Sequence, residues 1–69
     1  MVLLMTAGSN PTPPSGQAHV LVVDDVEANR VLVRSMLERL GHRVTTADDG
    51  VQALDRLAAT RFDLSLIHI

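Results

Sequence analysis

The chain has 69 residues, 46% of them hydrophobic, and it contains no cysteine. A chain of this length forms at most one domain with a small core, and the lack of cysteine excludes disulfide bonds and thiolate metal sites. Six Lys and Arg against eight Asp and Glu give a net charge of −2. Without a run of basic residues, direct binding to nucleic acid is not expected.

The first 17 residues are predicted to form a flexible linker or extension. The opening MVLLM is apolar but too short for a membrane span or a signal sequence. Residues 6–17 are rich in small, polar, Pro and Gly residues, which interrupt helices and central strands. Both a tether to another domain and an extension without a role remain open. The domain is therefore predicted over residues 18–69, in a cytoplasmic protein with no membrane contact by this segment.

The first predicted strand and helix follow directly. Residues 20–23 form a continuous apolar run, which is typical of a strand buried on both faces of a parallel sheet. Residues 26–40 change to a helical period. Their predicted, largely apolar face comprises Asn29, Leu32, Val33, Met36, Leu37 and Leu40. Gly41 is suited to a left-handed residue after the helix, and Arg39 suits the negative end of the helix dipole.

The second half of the chain repeats this alternation. Residues 42–47 are predicted to form a second strand, and residues 62–67 a third. Between them, Asp49 is a predicted N-cap with Gln52 three residues later. The helix that follows has an apolar face of Val51, Leu54, Leu57 and Ala58. The order β-α-β-α-β with short connections predicts right-handed crossovers and a parallel sheet, whose third strand is expected to be an uncovered edge.

Two adjacent carboxylates, Asp24 and Asp25, come directly after the first strand. In open parallel sheets the ligand crevice lies at the carboxyl ends of the strands. Two carboxylates at such a place repel each other unless a proton or cation lies between them, and Mg²⁺ commonly binds one or two carboxylates. The pattern alone also allows a second interpretation, in which Asp25 caps the next helix and Asp24 is solvated.

Several motifs together resemble the receiver domain of two-component response regulators and hybrid sensor histidine kinases. They are VLVVDD at residues 20–25, LERLGH at 37–42, VTTADDG at 44–50, GVQAL at 50–54 and RFDL at 61–64. The resemblance implies an α/β, flavodoxin-like fold with strand order 2-1-3-4-5, of which this chain contains the βαβαβ part in the order 2-1-3. The form DDVEANR most resembles receivers attached to hybrid kinases.

The resemblance also implies a function. Receivers accept a phosphoryl group from a histidine kinase or phosphotransfer domain onto an aspartate at the end of the third strand, with Mg²⁺ held by that residue and the acidic pair. Asp24 and Asp25 are therefore expected to be metal ligands in the complete domain. In this chain the acceptor position falls on His68, so no catalytic residue is assigned. The alternative is a receiver-like interaction module that works without phosphorylation.

Residues 65–69, SLIHI, have two interpretations. Either His68 is a true replacement in a relative that no longer accepts phosphate, or this tail is foreign sequence joined to a shortened coding region. We favour the second, because Ser65 brings a hydroxyl into a strand expected to be apolar. The chain is then a fragment and not itself an enzyme, although its parent could be a hybrid kinase. A nucleotide-binding enzyme is disfavoured, because no glycine-rich phosphate loop follows the first strand.

Overall fold

The computed structural model describes residues 3–7 and 16–68. Four strands and two helices lie within these ranges. They are β1 (Leu3–Ala7), β2 (His19–Val23), α1 (Glu27–Arg39), β3 (Arg43–Ala47), α2 (Gly50–Ala59) and β4 (Leu64–His68). From β2 onward the elements follow the predicted β-α-β-α-β order.

The strands form one sheet in the order β1-β4-β2-β3. Strand β2 pairs in parallel with β3 on one side and with β4 on the other. This confirms the predicted arrangement of three parallel strands, in which the first lies between the second and the third. Because β3 and β4 lie on opposite sides of β2, right-handed crossovers place α1 and α2 on opposite faces of the sheet.

Strand β1 was not expected from the sequence. The predicted linker spans residues 1–17, but Leu3–Ala7 pairs antiparallel with β4, from Leu3 opposite His68 to Ala7 opposite Leu64. The expectation that the third predicted strand is an uncovered edge is therefore wrong. An outer edge presents unpaired backbone N–H and C=O groups, and an extended segment of the same chain satisfies them. Residues 8–15, which hold the three prolines of the predicted linker, lie outside the described residues.

The core lies around β2. All four residues from Val20 to Val23 are buried, and the Leu21 side chain is fully enclosed. One face of the strand packs into a cluster of Leu21, Val23, Ala47, Ala53 and Phe62, with Ile67 at its border. Burial on both faces explains why the sequence of this strand is continuously apolar instead of alternating.

Helix α1 ends as its sequence predicts. Gly41 has a φ of 90°, a left-handed conformation that glycine adopts without steric cost. The N–H of Gly41 donates to the Glu38 carbonyl, and the N–H of His42 donates to the Leu37 carbonyl. This pair of bonds is a Schellman motif, which satisfies carbonyls left free at the helix end and turns the chain into β3.

The predicted apolar face of α1 divides into two rows. Asn29, Val33 and Leu37 are half-buried against the sheet, whereas Leu32, Met36 and Leu40 are exposed. A single helix lying on a narrow sheet covers only the row that points down to it. The second row therefore remains on the surface in the described part of the chain.

Helix α2 begins with the predicted cap. The Asp49 carboxylate accepts a hydrogen bond from the Gln52 N–H at 2.9 Å, and the Gln52 side chain in turn accepts one from the Asp48 N–H at 3.1 Å. Ala53 is the buried residue of this helix, while the predicted apolar residues Val51, Leu54 and Leu57 are exposed. No helix within the described ranges is long and apolar enough to cross a membrane.

His19 joins the start of β2 to the segment before β4. Its ring lies 4.5 Å from the Phe62 ring, and its Nε2 is 2.9 Å from the Thr45 hydroxyl. Its backbone N–H donates to the Asp63 carboxylate at 2.7 Å. Burial, aided by the positive charge of Arg43, lowers the pKa of His19, and the negative charge of Asp63 opposes that shift. The neutral imidazole is therefore the form that fits the folded chain.

We expect the Leu21→Ala substitution to lower the free energy of unfolding by about 2–5 kcal/mol, because it leaves a cavity in the centre of the core. In a domain this small, such a loss removes most of the folded population. The control is Leu40→Ala at a position that is 73% exposed, for which we expect a change within about 0.5 kcal/mol. Urea unfolding followed by circular dichroism measures both, and similar losses in the two variants would contradict the assigned core.

We expect stability to fall as the pH drops below the ordinary His19 pKa of 6.5. The folded chain binds fewer protons at His19 than the unfolded chain there, so protonation favours unfolding. The contribution of neutral His19 to the free energy of unfolding is fully present above pH 6.5 and is lost as the pH falls through the lowered pKa of the folded chain. Urea unfolding across this range should show a weaker pH dependence in His19→Gln, and an unchanged dependence would contradict the environment described.

Candidate functional site

The carboxyl ends of the three parallel strands meet at one edge of the sheet. Asp24 and Asp25 follow β2, Asp48 and Asp49 follow β3, and His68 is the last residue of β4. Parallel topology alone brings these positions together, because the strands run in the same direction and end at the same level. The edge is therefore rich in carboxylates and carries one imidazole.

The Asp24 side chain is buried and its two carboxylate oxygens have different partners. Oδ1 accepts a hydrogen bond from the Val26 N–H at 2.9 Å. Oδ2 lies 2.7 Å from Nδ1 of His68. The Val26 bond is the main cause that lowers the pKa of Asp24, with further contributions from His68 and the Asn29 side chain that outweigh the opposing effect of burial. Asp24 is therefore ionised at neutral pH.

Arg30 links the ends of β2 and β3. Its Nη1 donates to the Asp24 backbone carbonyl at 2.6 Å, and its Nη2 lies 3.2 Å from a carboxylate oxygen of Asp48. The guanidinium group has several donors in a fixed plane, so one side chain can hold both strand ends. Arg30 thus places a fixed positive charge among the four carboxylates.

Asp25 has a different environment from Asp24. It is exposed and lines an open cleft of about 810 Å³ between α2 and the carboxyl ends of β2 and β4. The cleft is bordered by polar residues at the strand ends and by apolar residues of α2. Its lining includes Val23, Asp48, Leu54, Leu57, Ile67 and His68. A small ligand therefore has access to Asp25 and His68 from solvent.

The structure contradicts the second interpretation of the acidic pair, in which Asp25 caps the next helix and Asp24 is solvated. Helix α1 has Val26 as its N-cap and no side-chain cap, so the interpretation in which Asp25 caps the helix is wrong. Asp24 is buried and hydrogen-bonded instead of solvated. The sequence placed both carboxylates at the strand end, but it did not assign roles to Arg30 and Asp48. These two roles become evident only when β2 is seen to pair in parallel with β3, which brings Asp48 within reach of the Arg30 side chain on α1.

The residues of this edge do not form a ready Mg²⁺ site in the chain as it stands. The described residues contain no group of three or more His, Cys, Asp and Glu side chains placed to hold a metal ion. Both Asp24 oxygens already have hydrogen-bond partners, and the residue beside them is an imidazole. Mg²⁺ prefers oxygen ligands and strict octahedral geometry, so this donor set does not fit it.

The chain is similar to known signalling proteins. The family model described as response regulator receiver domain matches residues 20–69. The sensor histidine kinase AruS of Pseudomonas aeruginosa is 41% identical over 97% of this chain. The aerobic respiration control sensor protein ArcB of Escherichia coli is 39% identical over 81% of it, and probable histidine kinase 1 of Oryza sativa subsp. indica is 31% identical over 88%.

The matched region is a small part of each relative. The chain spans 7% of AruS, 7% of ArcB and 6% of the rice protein. No solved structure matches the chain.

We expect Asp24→Asn to destabilise the chain more than Asp25→Asn. The first substitution removes a buried charge that accepts from Val26 and pairs with His68, whereas the second changes an exposed side chain. The two variants have the same net charge and differ only in position. Urea unfolding at neutral pH gives the comparison, and equal midpoints would contradict the buried pair.

Proposed function

This chain belongs to the response regulator receiver domain family, and we propose that it forms the N-terminal part of a receiver domain in a hybrid sensor histidine kinase. Proteins of this family act in two-component phosphorelay signalling. The small share of each relative that the chain covers supports its origin in a longer protein. In this proposal the kinase activity belongs to the rest of that protein, and the chain itself is not an enzyme.

One observation carries the proposal. His68, at the end of the third parallel strand, lies within hydrogen-bond distance of the buried carboxylate at the end of the first. This contact supports the alignment in which position 68 is the phosphoacceptor position of the family. In a complete domain with aspartate there, Asp24 and Asp25 would hold Mg²⁺, which offsets negative charge on the transferring phosphoryl oxygens.

The chain's own residues supply positioning. Asp24 is fixed by the Val26 N–H, and Arg30 fixes the ends of β2 and β3 relative to each other. Asp25 faces the open cleft, from which a phosphodonor has access. Phosphoryl transfer depends mainly on such positioning and on charge stabilisation, so a rigid edge is the main contribution of this segment.

The proposed partners are a histidine kinase or a phosphotransfer domain that presents a phosphohistidine to the cleft. The proposed location is the cytoplasm, and we propose no direct contact with nucleic acid or membrane by this segment. The net charge of −2 and the absence of a basic run support the first of these exclusions.

A second candidate function is an interaction module that works without phosphorylation. The observation that favours it is the residue type at position 68, which is histidine, so the position has no carboxylate to phosphorylate. The genomic DNA sequence beyond codon 64 distinguishes the two candidate functions. An in-frame continuation with aspartate at position 68, followed by later strands that carry a Ser or Thr and a Lys, supports phosphoacceptance and a non-native origin of residues 65–69. A stop after Ile69 supports the interaction module.

We expect the 69-residue chain to gain no phosphoryl group from a small phosphodonor with Mg²⁺, because it lacks an acceptor aspartate. The longer protein with an aspartate at position 68 should be labelled, and replacing both Asp24 and Asp25 with Asn should abolish that labelling. Intact-mass measurement detects the adduct in each case. A stoichiometric adduct on His68, or unchanged labelling of the doubly substituted protein, would contradict the proposal.

A further inference from the structure

Each oxygen of the Asp24 carboxylate has a hydrogen-bond partner. Oδ1 accepts from the Val26 N–H, and Oδ2 lies 2.7 Å from Nδ1 of His68, so the side toward position 68 is taken by the imidazole. Asp24 is 5% exposed, so few other directions of approach remain. An ionised carboxylate only accepts hydrogen bonds. Nδ1 of His68 must therefore carry the hydrogen, and it has no lone pair to offer a metal ion.

The charge of Arg30 and the burial of His68 also disfavour a divalent cation beside Asp24. The Arg30 guanidinium, bonded to the Asp24 carbonyl oxygen and paired with Asp48, holds a permanent positive charge at the same strand ends. A divalent cation entering beside Asp24 would meet this charge. It would also have to displace the imidazole from a mostly buried position, since the His68 side chain is only 17% exposed. Mg²⁺ binds few protein ligands and exchanges its waters reluctantly, so it has little binding energy to offset these costs.

We infer that His68 takes the place of the divalent cation beside Asp24, so that this chain does not bind Mg²⁺ at the millimolar concentrations that fill a receiver site. The inference rests on the proposed function only in taking Asp24 and Asp25 as the cation ligands of the complete domain. Its consequence is a strand edge whose charge does not change with Mg²⁺. A partner that binds this edge then meets the same charge with or without Mg²⁺ at those concentrations.

The test is a Mg²⁺ titration of the 69-residue chain and three variants, followed by the amide resonances of Asp24, Asp25 and Ala47. His68→Asp restores an oxygen ligand and removes the N–H donor. His68→Ala removes the donor alone, and it replaces His68→Asp in the test if the added carboxylate prevents folding. His42→Asp is the matched control, because it makes the same change in composition at the opposite end of β3.

We expect no saturable shift in the original chain or in His42→Asp. His68→Asp should bind Mg²⁺ at least about tenfold more tightly than the original chain, a difference of about 1.4 kcal/mol, with His68→Ala in between. Saturable binding by the original chain as tight as that of the His68 variants would overturn the inference and leave Asp24 and Asp25 as ligands. Absence of binding in all folded variants would overturn the ligand assignment itself, and the inference with it.

Discussion

The burial of β2 on both faces is the constraint from which the other features follow. A strand covered on both faces needs a neighbour on each side and a helix above and below it, and the chain provides β3, β4, α1 and α2 for these places. The parallel pairing then brings three strand ends to one edge. The position of every residue at the site depends on this central strand, although β2 itself contributes no charged side chain to it.

The carboxylates of the site lie beside one cation and one imidazole. Arg30 bonds to Asp48 and to the backbone carbonyl of Asp24, and the Asp24 carboxylate lies within hydrogen-bond distance of His68. A cluster of carboxylates at strand ends costs free energy unless cations accompany it. In this chain the Arg30 guanidinium supplies such a cation, and the His68 imidazole is a partner of Asp24. Under the proposed function, a metal ion would supply the cation in a complete domain with aspartate at position 68.

Local patterns explain which parts of the structure could be predicted. The apolar run of β2, the helical periods, Gly41 and the Asp49 cap act within a few residues, so the sequence alone indicates them. Which row of α1 contacts the sheet depends on the width of the sheet, and the pairing of β1 with β4 joins segments about sixty residues apart. The acidic pair was predictable from the end of a strand, but the Arg30 bridge depends on the direction of one long side chain.

The antiparallel edge has a consequence for the site, because Leu3 at the start of β1 lies opposite His68. The residue that pairs with Asp24 is therefore also the residue at which the first strand joins the sheet. The backbone of His68 belongs to the outer strand pair, and its side chain belongs to the acidic site. The N-terminal strand therefore begins its pairing at the same residue on which the Asp24 contact depends.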